Sequence, residues 1–276
     1  MTGEWIGEAS SSEDEDPAFD TSVAHLARVY DYWLGGKDNY EADRAAGEAA
    51  LQAYPDLVFS VRANRAFLAR VVRHLAREAG VRQFLDIGTG IPTANNTHEV
   101  AQSVAPDCRV VYVDNDPIVL AHARALLTST PEGVTDYLDA DLRDTGKILA
   151  RAAQTLDFSR PVAVMLIAIL HVLDDDDDPY GIVATLMDAV PPGSYLALSH
   201  AASDIVPAQS AELKKRLDRL MYQKSILRPR AAVLRVFDCV EMLEPGVVRV
   251  QEWRPDTEAE AKSPSNMWGG VGRKPA

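Results

Sequence analysis

The sequence predicts a doubly wound α/β fold on a mostly parallel sheet, and three observations carry that prediction. Strand-length apolar runs alternate with helix-length amphipathic stretches from about residue 84 to 199, the pattern of parallel strands joined by right-handed crossovers. One of these strands ends in a glycine-rich turn, Asp86-Ile87-Gly88-Thr89-Gly90, and the next ends in an acid, Asp114. The last third breaks the alternation and closes on two strand-like runs, residues 247–253 and 268–272, which would add an antiparallel edge.

Taken in order, residues 1–20 are acidic and rich in serine, without the basic start and apolar run of a signal peptide, and predict a disordered leader. Helical periodicity starts near Thr21, runs through Leu26, Val29, Tyr30 and Trp33, and stops at Gly35-Gly36. A second helix is expected over 41–54. A third, over 61–79, carries Phe67, Leu68, Val71, Val72 and Leu75 on one face and meets Gly80 as a C-terminal stop. We expect residues 21–80 to form a helical lid and 81–276 the main domain. That domain reads as strand 84–87, helix 95–105, strand 109–113, helix 117–129, strand 134–138, helix 143–157, strand 162–170, helix 180–189 and strand 195–199. Asp116 is placed to cap the helix that opens at Pro117. Helices over 207–225 and 231–240 precede the two closing strands.

Composition narrows the function. The chain has 276 residues, 47% of them hydrophobic and 25% charged, enough for one large domain with a full core. A net charge of −13 argues against gripping nucleic acid by its phosphates. Two cysteines, Cys108 and Cys239, spell out neither a disulfide framework nor a thiolate metal site and fit a reducing cytoplasm. No apolar run is long enough to predict a membrane span.

The glycine-rich turn and Asp114 describe a nucleotide-shaped cofactor at the carboxyl edge of the sheet. Glycine lets the backbone approach a ligand closely, and an acid at the next strand tip can accept from two ribose hydroxyls. Two cofactors fit. A dinucleotide would want a third glycine facing its pyrophosphate, where Pro92-Thr93 stands, which weakens an NAD-dependent oxidoreductase. Asp-x-Gly-x-Gly with the acid inside the strand end resembles the first motif of S-adenosylmethionine-dependent methyltransferases. Asp86 would then meet the methionine end, with Gly88, Thr89 and Gly90 around it, and Asn115 would lie beside the adenosine. Asp141 with Leu142, after the third strand, would take the adenine amine and cover the ring.

The tip of the fourth strand, with Ala168 and His171, would border the transferring methyl. His171, His200 and Tyr30 are candidates for a general base, although a lone histidine among apolar residues also serves packing alone. The five aspartates 174–178 read as a solvated loop and helix start, with no metal expected. Tyr30, Tyr32, Trp33, Lys37, Asn39 and Tyr40 surround the Gly35-Gly36 hinge, and this aromatic and polar cluster is expected to meet the acceptor.

The strings 27–40, 64–68, 84–92, 96–99, 111–117 and 270–275 resemble a bacterial family of S-adenosylmethionine methyltransferases long catalogued only as a domain of unknown function. The resemblance implies the class I methyltransferase (Rossmann-like) fold, a seven-stranded sheet with its last strand antiparallel. It implies S-adenosylmethionine as cofactor and supplies no acceptor. A small-molecule acceptor is the expectation; a non-catalytic cofactor-binding protein is the alternative.

Overall fold

The computed structural model describes residues 20–126, 128–221 and 223–276, so the expected leader lies outside the described residues except for Asp20. Helices α1 (Leu26–Leu34), α2 (Glu41–Ala53) and α3 (Leu57–Arg77) precede β1 (Gln83–Ile87). The alternation continues through α4 (Thr97–Val104), β2 (Arg109–Asp114), α5 (Pro117–Leu126), β3 (Val134–Asp139), α6 (Thr145–Ala152), β4 (Ala163–Ile167), α7 (Pro179–Asp188) and β5 (Tyr195–Ala201). Helices α8 (Pro207–Leu220) and α9 (Arg230–Arg235), strands β6 (Glu241–Met242) and β7 (Val248–Arg249), helix α10 (Glu258–Ala261) and strand β8 (Met267–Arg273) complete it.

The sheet order is β3-β2-β1-β4-β5-β8-β6, with β7 also on β8. Strands β1 to β5 are mutually parallel and β8 is antiparallel. The two-residue strands β6 and β7 pair with β8 at different heights, so they amount to one interrupted strand and the sheet to the seven expected. The strand expected over 247–253 is therefore cut short: the chain turns into a single 3-10 turn at Val250–Glu252. There Arg70 of α3, itself buried, donates to the carbonyls of Val250 and Trp253 at 2.7 and 3.0 Å.

The period of two along β1 sets its chemistry. Leu85 and Ile87 join the core on the α6 and α7 face, whereas Phe84 joins the core under α3 and α4. Asp86 shares the Phe84 side, which brings it to Thr97 at the start of α4. Helix α3 forms because Phe67, Leu68, Val71, Val72 and Leu75 recur at helical spacing, and all are buried on the sheet. Each such side chain contributes roughly 1.5–3 kcal/mol of burial. The helix ends where Gly80 adopts φ +69° and Val81 N–H returns to the carbonyl of Leu75 at 2.9 Å.

A separate core joins α1, α2, the first turns of α3 and α8, through residues such as Val29, Trp33, Ala50, Val61 and Leu217. One buried carboxylate fixes this cap. Asp43 accepts from Arg28 Nε and from the backbone N–H groups of His25 and Tyr40, at 2.8–2.9 Å. The cap sits over the carboxyl ends of the central strands through α3, which belongs to both cores.

Candidate active site

A cleft of about 1140 Å³, counting its open mouth, runs along the carboxyl ends of β1 to β4 beneath α1, where open α/β sheets bind ligands. All the residues expected to hold the cofactor line it: Asp86, Gly88, Thr89, Gly90, Asp114, Asn115, Asp141, Leu142 and Ala168.

At the β1 tip, Gly88 and Gly90 take φ +78° and +66°. A Cβ on Gly88 would meet the Ile169 side chain at 2.4 Å, while one on Gly90 would meet nothing within 4 Å. Thus Gly88 serves close packing, and Gly90 keeps the cleft floor open. Asp86 Oδ2 accepts from Thr97 Oγ1 at 2.6 Å. Burial pushes its carboxyl up to about 6, opposed by the Thr97 hydrogen bond and by Arg65. A carboxylate deprived of water by burial gains from a cationic partner.

At the β2 tip, Asp114 accepts from Gly90 N–H at 2.9 Å and Asp116 N–H at 3.0 Å, joining the two motifs directly. Burial raises its pKa against these backbone donors. Asp116 caps α5 as expected, accepting from Ile118 N–H at 2.8 Å, and its other oxygen stands 2.8 Å from His25 Nδ1. The cap thereby touches the β2 tip. At the β3 tip, Asn115 Nδ2 donates to Asp141 at 3.1 Å, and Asp141 also receives Arg143. Arg143 is held in turn by Asp177 at 2.6 Å. Leu142 is buried beside them.

The acidic run is used residue by residue. Asp177 fixes Arg143, Asp175 pairs with Arg228, Asp178 caps α7 and Asp174 accepts from two backbone N–H groups of its own loop.

The fourth strand stops at Ile167, short of the expected residue 170, because Ala168 enters the left-handed region at φ +55°. That conformation costs a non-glycine residue roughly 1 kcal/mol or more. A buried chain of hydrogen bonds holds it: Ala168 N–H donates to the carbonyl and Oγ of Ser199, both at 3.0 Å, and Ser199 Oγ donates to Asn64 Oδ1 at 2.6 Å. Asn64 Nδ2 donates to the Tyr30 hydroxyl at 3.0 Å, which donates to the Val61 carbonyl at 3.2 Å. Sequence reasoning missed Asn64 and Ser199. The available signal was Asn64 itself, a polar residue three and four positions before Phe67 and Leu68 on an apolar stripe.

His171 lies in a 3-10 turn, Leu170–Val172, and lines the cleft. Its Nδ1 is buried without a partner, and burial, aided by Arg228, lowers its pKa to about 4. His200 is wholly buried and does not line the cleft. Since a carbonyl only accepts and a guanidinium only donates, His200 carries its proton on Nδ1 toward Ala201 O at 2.9 Å and accepts from Arg228 at Nε2, at 3.1 Å. Burial and the neighbouring His171 lower it to about 3. Arg228, missed in the sequence, also donates to the carbonyls of Leu170 and Leu173 and so fixes the turn that presents His171.

Of the aromatic cluster, only Tyr30 lines the main cleft. Tyr32 reaches Glu48, Trp33 donates to the Gly47 carbonyl, Asn39 binds Asp31, Lys37 is exposed, and Tyr40 caps α2 with Arg28 over its ring. Tyr32, Lys37, Asn39 and Tyr40 build the cap, whereas Trp33, one helical turn from Tyr30, lines a cavity adjoining the cleft. Arg65 does line the cleft, near Asp86, and donates to the carbonyls of Ala94 and Asn95 at 3.2 and 3.1 Å.

The donor set suits a nucleoside without phosphate. Helix α4 is closed by its own capping box, Asn96 with Glu99, and Asn96 Oδ1 also takes Thr93 N–H at 3.1 Å. The backbone donors of Thr93, Asn96 and His98 are thus engaged within the protein.

Comparison with known proteins agrees. A family model described as S-adenosyl methyltransferase matches residues 12–275. The crystal structure of a DUF574 family protein from Streptomyces avermitilis is 48% identical, with TM-score 0.89, covering 93% of this chain and 99% of that one. A candidate methyltransferase from Thermobifida fusca is 44% identical, with TM-score 0.86, covering 96% and 100%. An O-methyltransferase family protein from Burkholderia thailandensis shares the fold at 16% identity and TM-score 0.52, over 83% of this chain and 62% of its own. No curated protein matches. The chain belongs to the S-adenosyl methyltransferase family, and S-adenosylmethionine, not NAD, is its cofactor.

Proposed function

We propose that this methyltransferase acts on a small-molecule acceptor, with the cofactor spread along the β1 to β3 tips and the acceptor meeting it beside Ala168 and His171. Asp114 accepts from the ribose, and Asp141 with Asn115 and Leu142 frames the adenine. Asp86 faces the methionine ammonium across the Gly88 to Gly90 turn, and Arg65 stands where a carboxylate would lie. Residues 21–80 act as a helical lid over the main domain, 81–276. A cytoplasmic setting belongs to the same proposal, supported by two unpaired cysteines. The net charge of −13 favours a small acceptor over nucleic acid.

The observation that carries this reading is the position of His171. It is a neutral imidazole lining the cleft at the β4 tip, across from the polar β2 and β3 tips. When bound, S-adenosylmethionine supplies a methyl group on a sulfonium, already a good leaving group. Holding the acceptor in line supplies much of the remaining catalysis, up to about 7–11 kcal/mol in well-oriented systems. His171 takes the proton that the acceptor releases. The site then keeps its charge, because the imidazolium appears as the sulfonium charge disappears.

Calorimetry with S-adenosylhomocysteine tests the cofactor half. Asp114→Ala should weaken binding about 10- to 100-fold, the worth of charge-assisted hydrogen bonds. Unaltered affinity would remove Asp114 from the site. Because Asp86 must be ionised to meet an ammonium, affinity should also fall as pH drops below about 6.

A further inference from the structure

Beyond the β4 tip lies a second cavity, about 650 Å³ with its mouth, which shares Leu26, Tyr30, Ala168 and His171 with the cofactor cleft. Its remaining wall is mostly apolar: Trp33, Leu57, Val61, Leu213, Leu217 and Met267, from α1, α3, α8 and β8. Lys214 is the one charged residue among the described residues lining it, and Asp218 engages its ammonium at 2.5 Å. Other polar groups there are also committed. The Tyr30 hydroxyl binds Asn64 and Val61, and Ser60 Oγ accepts from Asn266 N–H at 2.9 Å.

Two buried atoms on this wall lack partners, His171 Nδ1 and Asn266 Oδ1. The Asn266 amide is oriented unambiguously, because its Nδ2 donates to the Ala202 carbonyl at 3.2 Å and to Ser210 Oγ at 2.9 Å. The orphaned Oδ1 can only accept. A buried acceptor left unpaired costs about 1–3 kcal/mol and marks a place where a ligand donor would be welcome.

We infer that this second cavity is the acceptor site, and that it takes an uncharged, mainly apolar compound of one or two rings carrying a hydroxyl or amino group. The inference rests on the cofactor occupying the first cleft as proposed above. The acceptor's body enters between α1 and α8, and its hydroxyl or amine reaches the shared wall at His171. There its lone pair forms the new bond to the methyl carbon as the sulfur–carbon bond breaks, and its proton passes to His171 and on to solvent. A carboxylate or phosphate on the ring body would be buried without a free cation and is excluded.

The experiment uses 1-naphthol as probe and its charged counterpart 1-naphthoate, each titrated into the full-length protein saturated with S-adenosylhomocysteine. Naphthol should bind at least about thirty-fold more tightly than naphthoate. Leu217→Phe and Leu213→Phe, which fill the cavity, should weaken naphthol at least about tenfold while S-adenosylhomocysteine affinity stays within about twofold. Equal binding of naphthoate, or unchanged naphthol binding in filled variants that still hold the cofactor product, overturns the inference and leaves the cofactor site standing. Failure of the wild-type protein to bind S-adenosylhomocysteine would instead overturn the cofactor reading. Should the filled variants not fold, the naphthol and naphthoate comparison on the wild type decides.

Discussion

At the tips of β1, β2 and β3 the cleft wall comes from short stretches of chain, 86–90, 114–116 and 141–143, and four of its hydrogen bonds run between a carboxylate and a backbone N–H no more than one strand away. At the β4 tip Tyr30 and Asn64 line the cleft and Ser199, His200 and Arg228 support the wall from behind, brought together across the whole chain and joined largely through side chains. The first region is acidic and polar. The second is apolar, with two histidines held neutral by burial. A local, backbone-built site suits a cofactor shared across a fold. A site assembled from distant side chains is free to vary with the acceptor.

The sharpest way to break this contrast is to disturb each side and ask whether the other notices. Arg228→Ala strands the Leu170 and Leu173 carbonyls and His200 Nε2. At about 1–3 kcal/mol for each buried orphan it should cost on the order of 4 kcal/mol in chemical denaturation. Cofactor-product affinity should stay within about threefold, because no Arg228 partner lies at the β1 to β3 tips. Arg228→Lys should rescue little, since one ammonium lacks the guanidinium's fork. Gly88→Ala comes next. Its left-handed φ and the approach to Ile169 together predict about 3 kcal/mol and loss of cofactor binding, against about 1 kcal/mol for Gly90→Ala, where the space is open. Equal costs at the two glycines would show that packing against Ile169 does not matter.

The contrast in construction also decides how much could be read from the sequence. The Asp86 to Gly90 turn, Asp114 and the Asp116 cap were legible because each is a local pattern with its own backbone consequence. Asp141 and Leu142 were legible as the next acid and apolar residue after a strand. The Ser199–Asn64–Tyr30 chain was not, since nothing local marks a serine at a strand end as the partner of an asparagine on a helix far upstream. Arg228 lies in a polar stretch that reads as surface, yet it is buried. The aromatic cluster was legible only in part, because a helix sends adjacent residues to different faces. Only Tyr30 of that cluster lines the cofactor cleft, and Trp33 joins it on the wall of the adjoining cavity. The fold itself was clear from alternation alone, apart from strand ends set by special conformations, as at Ala168.

A smaller effect separates the two regions by the sign of their pH dependence. Asp86, raised to about 6, binds a proton in the folded state that it lacks when unfolded. It therefore stabilises the fold as pH falls from about 6 to 4, by about 1.4 kcal/mol per pH unit. His171 and His200, lowered to about 4 and 3, do the reverse. Below about 6.5 their unfolded forms take up protons that the folded forms refuse, and stability is lost. Two histidines against one acid make the combined contribution of these three groups a loss of about 1.4 kcal/mol per unit between pH 6 and 4. Asp86→Asn should steepen the measured loss by about 1.4 kcal/mol per unit, read from denaturant titrations at several pH values. An unchanged slope would place Asp86 among ordinary carboxylates.

A crystal structure with S-adenosylhomocysteine bound tests most directly whether the cofactor fills the first cleft and leaves the adjoining cavity to the acceptor. The account predicts adenine beside Asn115, Asp141 and Leu142, ribose on Asp114, the amino acid end among Asp86, Gly88 and Arg65, and sulfur directed toward Ala168 and His171. Adenosine seated instead among Leu213, Leu217 and Met267, or sulfur directed away from His171, would contradict it.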